Sequence, residues 1–111
     1  MPESSPGAVR DPFQAIADPT RRAMLARLRG GALRAGDIAE GFALSQPALS
    51  KHLRILREAG LVRVAESGRE RLYSLDPAGL RGVVDWAASF EAFWPARLEA
   101  LGAHLRRKGD G

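Results

Sequence analysis

The sequence contains no cysteine, few aromatic residues (6% of 111) and no long hydrophobic run. Without cysteine the chain can have no disulfide, no thiolate nucleophile and no zinc–thiolate site. No stretch approaches the roughly 18 consecutive apolar residues of a membrane-spanning helix. The opening residues, MPESSPGAVRDP, lack the apolar core of a secretory signal. These absences favour a cytoplasmic protein that does not enter a membrane.

The composition is that of a small soluble domain. Hydrophobic residues make up 45% of the sequence and charged residues 27%, which is typical of globular chains rather than disordered ones. A chain of this length forms one domain. We predict that the domain occupies residues 12–106 and ends in a long helix, with flexible tails at residues 1–11 and 107–111.

The net charge of +4 is concentrated in one part of the chain. Residues 46–75 carry six basic and three acidic side chains. Residues 1–45 carry six basic and five acidic side chains, and residues 76–111 carry five of each. Clustered positive charge is typical of a surface that faces a polyanion such as nucleic acid.

Proline and capping residues mark the expected starts of the helices. A first helix is expected from Pro12, and Asp18 followed by Pro19 provides an N-cap with proline at the first position of a second helix. RAGDIAEGF predicts a short third helix. Ser45 can cap a fourth, SQPALSKHLRILREAG, and the glycine that ends this stretch supplies a C-terminal stop.

The hydrophobic pattern then changes its period. LVRVAESGRERLYSL alternates at every second residue around residues 66–68, which predicts a β-hairpin with its turn at Glu-Ser-Gly. Asp76 and the proline after it open a final helix with a long apolar stripe. Pro95 lies inside this stripe and is expected to kink or divide the helix near Phe93.

This order predicts a mainly α-helical fold with a small β-hairpin, the α-α-α-α-β-β-α order of a winged helix-turn-helix. In such a motif the second helix enters the major groove with its N-terminal residues nearest the base edges. In SQPALSKHLRILREAG, Leu49, Leu53 and Leu56 share one face. The opposite face carries Gln46 and Ser50, short hydrogen-bonding side chains of the kind that base recognition uses.

The DNA-facing residues follow from this geometry. Gln46 can read adenine bidentately, and Ser50 can bond to base edges or to a phosphate. Lys51 and Arg54 can reach guanine or the backbone. In the hairpin, arginines that flank the turn, with Arg63 on the opposing strand, can grip phosphates or the adjacent minor groove. The predicted DNA-binding set is Ser45, Gln46, Pro47, Ser50, Lys51, Arg54, Arg69 and Arg71.

No catalytic site is expected. His52 lies at the flank of the apolar face, where a packed and hydrogen-bonded histidine is the ordinary role. His104 has no second histidine one helical turn away, as a metal pair would require. The sequence shows no nucleophile–base pair and no phosphate-binding loop. It therefore predicts neither an enzyme nor a cofactor.

Three segments, ADPTRRAMLARL, LSQPALSKHLRILREAGLV and SGRERLYSL, resemble the ArsR/SmtB family of bacterial winged-helix repressors. The resemblance extends over about residues 13–105, and WAxxFExFWxxRL in the last helix is similar to the autorepressor-like subgroup. Metal-sensing members carry Cys-x-Cys before the turn, where this chain has GDIAEGF, or Asp-x-His, where Asp85 is followed by Trp86 and Ala87. Both metal sites are therefore missing, and a small-molecule or protein effector is left unidentified.

The resemblance implies a homodimer, built by the first and last helices, that binds a palindromic operator in double-stranded DNA. The residues agree, because Trp86, Phe90, Phe93 and Trp94 present more apolar surface than a thin winged domain covers alone. The interface residues that we expect are Phe13, Ile16, Leu80, Val84, Phe90, Trp94, Leu98, Leu101 and Leu105.

Two other functions fit the same residues. The aromatic last helix can bind a different protein, with the basic face incidental, or the repressor can sense an organic ligand between the Trp86 and Trp94 regions. The absence of salt-dependent DNA binding would favour the first. A thermal shift or a quenching of tryptophan fluorescence by a ligand would favour the second.

Overall fold

The computed structural model describes residues 10–93 and has the predicted order of elements. Its helices are α1 (Pro12–Ile16), α2 (Pro19–Arg27), α3 (Ala35–Ala39), α4 (Gln46–Glu58) and α5 (Pro77–Ala88). The strands are β1 (Val62–Ser67) and β2 (Glu70–Leu75), and 3-10 turns follow α2 and α5 at Leu28–Gly30 and Glu91–Phe93. The winged helix-turn-helix predicted from the sequence is confirmed.

Side-chain caps open the helices at the predicted places. The Asp18 carboxylate accepts a hydrogen bond from the backbone N–H of Arg21 (3.0 Å), and Ser45 Oγ accepts one from that of Ala48 (3.2 Å). Asp76 caps the first turn of α5 in the same way, at 3.1 Å. Each cap satisfies an N–H group that the first helical turn leaves without a partner, so the starts of α2, α4 and α5 are confirmed.

The hydrophobic core lies under α4. The predicted Leu49, Leu53 and Leu56 are buried, and Ile55, which the sequence analysis did not assign, is buried with them. Burying a side chain of this size stabilises the fold by about 1.5–3 kcal/mol, so α4 is held firmly by its inner side. The buried core is Ala15, Met24, Leu25, Leu28, Ile38, Leu49, Leu53, Ile55, Leu56, Ala59, Leu61, Val62 and Tyr73.

The turn of the β-hairpin begins two residues and ends one residue later than expected. Strands β1 and β2 are antiparallel and pair from Val62 with Leu75 to Ser67 with Glu70. Because Ser67 pairs with Glu70, the turn is Gly68-Arg69 rather than residues 66–68, and Gly68 has a positive φ (+64°). A glycine with positive φ at the first central position is typical of a type II′ turn. Arg69 thus lies in the turn instead of flanking it.

The start of α5 packs closely on the turn that follows α4. A Cβ atom at Gly79 would lie 2.0 Å from the carbonyl oxygen of Gly60. The backbones can approach only because Gly79 has no side chain. Gly60 itself has φ +76°, as expected for the predicted glycine stop after α4. These contacts fix where α5 begins.

The end of α5 differs from the expectation. The helix ends at Ala88, five residues before the predicted kink near Phe93. Ser89 Oγ donates a hydrogen bond to the carbonyl oxygen of Trp86 (2.6 Å), and the chain continues in a 3-10 turn. A serine that bonds back to the preceding turn competes with the helical pattern. The chain divides into two compact units between Arg81 and Gly82, inside α5.

The predicted tails and the end of the last helix lie at or beyond the limits of the described residues, 10–93. Arg10 and Asp11, assigned to the flexible tail, make bonds: the backbone N–H of Arg10 donates to the carbonyl oxygen of Glu58 (2.9 Å), and Asp11 caps α1. Within residues 10–93, no helix is long and apolar enough to span a membrane. Residues with predicted roles outside the described range are Trp94, Pro95, Leu98, Leu101, His104 and Leu105.

Candidate nucleic-acid interface

The outer face of α4 is polar and open to solvent. All eight predicted DNA-binding residues are exposed, six of them at the start or along the outer side of α4 and two on the hairpin. Gln46 and Ser50 stand in the first turns, next to Pro47 and Lys51. The structure therefore brings the predicted base-reading side chains to one accessible end of the helix.

A cleft of about 350 Å³ lies beside this face, between α4 and β2. The residues at positions 46, 50, 54 and 57 line it from α4, at the four-, four- and three-residue spacing of one helical stripe. Arg71 lines it from β2, and Leu49, Leu53 and Tyr73 contribute buried apolar surface. We call this the α4–β2 cleft. The spacing of the sequence places Arg57 on the polar face of α4, but it was not among the predicted DNA-binding residues; the position of β2 shows that it lines the cleft.

Three acidic residues, Asp37, Glu58 and Glu70, are bound to arginines outside the cleft, and Glu66 lies opposite Arg71 in the strand register. Arg34 forms ion pairs with Asp37 and Glu70, both at 3.4 Å, and Arg10 pairs with Glu58 at 2.6 Å. In the described part of the chain, no ion pair involves Lys51, Arg54, Arg57, Arg69 or Arg71. The positive charge that the sequence concentrates in this region is therefore free to attract a polyanion.

The hairpin presents its arginines on different faces. Arg71 shares a face of β2 with Tyr73, and its guanidinium lies 5.9 Å from the Tyr73 ring centroid, at the limit of a cation–π contact. Arg63 pairs with Ser74 and therefore projects from the opposite face of the sheet. Arg71 is turned toward α4, whereas Arg63 is not.

The turn between α3 and α4 is held by a residue that the sequence analysis missed. The guanidinium of Arg27 lies 4.6 Å from the ring centroid of Phe42. The same side chain donates hydrogen bonds to the carbonyl oxygens of Ile38 (3.4 Å) and Glu40. Arg27 thus satisfies carbonyl groups at the end of α3 and supports the turn that places α4. Its position on α2, remote in sequence from this turn, left no local signal.

His52 has the structural role predicted for it. It is half-buried, and Arg21 Nη1 donates to its Nδ1 at 3.2 Å, while Arg21 Nε donates to the carbonyl oxygen of Ala15 (2.7 Å). Arg21 therefore connects α1 and α2 with α4. The bond from its backbone N–H lowers the pKa of Asp18; burial opposes this with a smaller effect, and the positive charge of Arg21 adds to the lowering.

Several predicted interface residues are exposed apolar side chains. The exposed fractions are 38% for Phe13, 60% for Val84 and 41% for Phe90. Ile16 and Leu80 differ, since both are half-buried and pack against the core of their own chain.

Beyond Arg81, exposed aromatic side chains form a cup. The exposed fractions are 56% for Trp86 and 81% for Phe93. Trp86 and Phe90 meet edge to face at 5.0 Å and form with Ala87 and Phe93 an apolar cup of about 370 Å³.

Comparison with known proteins identifies a helix-turn-helix domain over residues 16–65. The chain is 38% identical over 98 residues to the HTH-type transcriptional regulator Rv2034 of Mycobacterium tuberculosis, covering 88% of this chain and 89% of that protein. It is 44% identical over 78 residues to the transcriptional repressor SdpR of Bacillus subtilis, covering 70% of this chain and 87% of that protein.

Solved structures agree with this relationship. The ArsR family transcriptional regulator RHA00566 is 35% identical, with a TM-score of 0.68, over 75% of this chain and 91% of that one. The homodimeric winged helix-turn-helix DNA-binding domain Mb0332 of Mycobacterium bovis is 26% identical, with a TM-score of 0.56, over 71% of this chain and 76% of that one. The chain therefore belongs to the ArsR/SmtB family of DNA-binding transcriptional regulators and repressors.

Proposed function

We propose that the protein represses transcription as a homodimer on a palindromic operator. The two copies of α4 then occupy successive major grooves, about 34 Å apart. One observation carries this proposal: the first turns of α4 present Gln46 and Ser50 on an exposed face, beside arginines that have no ion pair within residues 10–93. Such a surface suits DNA better than it suits an uncharged protein partner.

The proposed contacts divide into two kinds. Gln46 and Ser50 read base edges, each good contact being worth about 1–3 kcal/mol of discrimination between bases. Lys51, Arg54 and Arg69 bind phosphates and provide affinity that does not depend on sequence. Ser45 is expected to contribute mainly through its cap, because its Oγ accepts the N–H of Ala48.

Two substitutions separate these kinds of contact. The operator is first obtained by selecting bound fragments from random DNA with the purified protein. We expect Gln46→Ala to lower the ratio of operator affinity to random-DNA affinity by about tenfold, because one base contact is lost. Arg69→Ala is the matched variant on the hairpin and should weaken both affinities by the same factor. Fluorescence anisotropy at fixed salt concentration measures the affinity of each variant for the operator and for random DNA.

The two variants must behave differently for the proposal to stand. If both substitutions reduced operator and random-DNA affinity in equal proportion, α4 would not be the reading element. If the wild-type chain bound no DNA at any salt concentration, the protein-interaction function would be favoured instead.

The homodimer is supported by the exposed apolar side chains of α5 and the turn after it. Within the described residues, Trp86, Phe90 and Phe93 form an apolar cup that is open to solvent. Exposed apolar groups of this kind are typical of an interface. The homodimeric Mb0332 domain has the same fold. We therefore assign the cup to the interface with a second copy.

Light scattering coupled to size-exclusion chromatography tests the dimer. We expect a dimer at micromolar concentration, and Trp86→Ala should raise its dissociation constant at least tenfold, since large aromatic side chains dominate such interfaces. Val64→Ala, a half-buried change on the hairpin, serves as the control for general loss of packing. A monomeric wild type whose tryptophan fluorescence is quenched by apolar ligands would reassign the cup to a small molecule.

A further inference from the structure

We infer that the α4–β2 cleft binds one phosphate group of the DNA backbone, with Arg57 as a ligand beside Arg54 and Arg71. The inference rests on the proposed DNA-binding function and adds a residue and a site to it. A backbone phosphate of DNA and a free phosphate ion would both fit such a site. We assign the site to the DNA backbone.

The position of Arg57 along α4 argues for the backbone rather than the bases. Arg57 follows Gln46 by eleven residues, which places it about 16 Å further along the helix axis. With the N-terminal end of α4 in the major groove, the other end reaches the groove edge, where the phosphates lie. Arg57 is nevertheless on the same stripe as Gln46, so it faces the same nucleic acid.

The cleft combines charges from two elements. Arg54 and Arg57 approach from α4, and Arg71 approaches from β2, where it lies near the Tyr73 ring. Guanidinium groups bind phosphate oxygens bidentately, which gives both strength and orientation. A phosphate bonded from both sides would hold the hairpin at one distance from the recognition helix.

The surroundings of the cleft strengthen such a contact. Leu53 and Tyr73 line the cleft with side chains that are buried, so one side of the site excludes water. Charge-assisted hydrogen bonds gain strength where solvent is excluded. In the described part of the chain, Glu58 and Glu70 bind Arg10 and Arg34, and Glu66, which lies opposite Arg71 in the strand register, forms no ion pair with it.

The salt dependence of DNA binding tests the inference. Affinities for the selected operator and for random DNA are measured from about 50 to 200 mM salt. We expect Arg57→Ala to weaken both by the same factor, on the order of tenfold, and to reduce the slope of log affinity against log salt by about one. Arg57→Lys should retain the slope and recover only part of the affinity, because it keeps the charge without the planar fork.

The control removes a comparable arginine outside the cleft. Arg29 is exposed, lies in the 3-10 turn after α2 and does not line the cleft, so Arg29→Ala should leave the slope unchanged. Circular dichroism confirms that each variant is folded. If Arg57→Ala gave the slope of Arg29→Ala and of the wild type, the inference would be overturned while the proposed function stood. A wild type without salt-dependent DNA binding would overturn both.

A second measurement distinguishes the two sources of phosphate. The line width of inorganic phosphate in ³¹P spectra is recorded with the DNA-free protein and with Arg57→Ala. Broadening that depends on Arg57, together with an unchanged salt slope for DNA, would assign the cleft to free phosphate and overturn the assignment to the backbone.

Discussion

Helices α4 and α5 have similar lengths and similar starts, yet they differ in how far their apolar side chains are buried. Each opens with a cap and a proline in the first turn. Helix α4 buries four large apolar side chains within its own chain, whereas α5 has no buried residue and exposes Val84 and Trp86. An amphipathic pattern therefore predicts a helix but does not say what will cover its apolar side.

This difference assigns different partners to the two helices. The apolar side of α4 is satisfied by the core, so its polar side is left to solvent and, in our proposal, to DNA. On α5, Leu80 packs against the core, but Val84 and Trp86 are exposed in the described part of the chain, and in our proposal a second copy covers them.

Leu53→Ala should destabilise the fold much more than Val84→Ala. Leu53 is buried in the core, so its truncation leaves a cavity and costs about 2–5 kcal/mol. Val84 is exposed, and its truncation should change the free energy of unfolding of the chain by only about 0.5 kcal/mol while weakening self-association. Urea denaturation at several protein concentrations measures both the free energy of unfolding and the strength of self-association, because dimer stability depends on concentration. Equal losses would remove the distinction between α4 and α5.

Gly79→Ala should lower the free energy of unfolding and Gly82→Ala should raise it, although the two glycines lie one helical turn apart. A Cβ atom at Gly79 would overlap the carbonyl group of Gly60, so we expect a loss of about 1–3 kcal/mol. At Gly82 no described atom lies within 4 Å of an added Cβ. Alanine there should stabilise α5 by up to about 1 kcal/mol through helix propensity. Thermal unfolding decides between them, and a stabilising Gly79→Ala would mean that α5 does not pack on the turn after α4.

The smallest expected effect is the loss of stability in acid that comes from Asp18, the N-cap of α2. The bond from the Arg21 N–H lowers the folded-state pKa of Asp18, so the carboxylate stabilises the fold above its unfolded pKa. This contribution is lost as the pH falls through the folded pKa. Asp18→Asn should therefore be less stable than wild type at neutral pH, and the difference should disappear as the pH falls below the lowered folded-state pKa of Asp18.

Urea midpoints measured across this pH range test the prediction for Asp18. Glu66→Gln, which removes an exposed hairpin carboxylate, is the control and should not reproduce the dependence. A difference between wild type and Asp18→Asn that did not change with pH would contradict the assigned cause.

The starts of the helices could be predicted because their signals are local. Asp18, Ser45 and Asp76 each cap an N–H group two or three residues away and precede a proline. The buried face of α4 followed equally from the spacing of its leucines. The turn of the hairpin and the end of α5 were misplaced by a few residues. There, Gly68 and the Ser89 hydroxyl decide between conformations that the hydrophobic pattern does not separate.

By itself the sequence determined the order of the elements, their capped starts and the polar face of α4, because these depend on residues within about one helical turn of each other. Only the tertiary structure decided that Arg57 and Arg71 face one cleft and that Arg27 supports the turn before α4. It also decided that Arg34 forms ion pairs with Asp37 and Glu70. Such pairings depend on distances between elements that are far apart along the chain, and those distances are set by how the core packs.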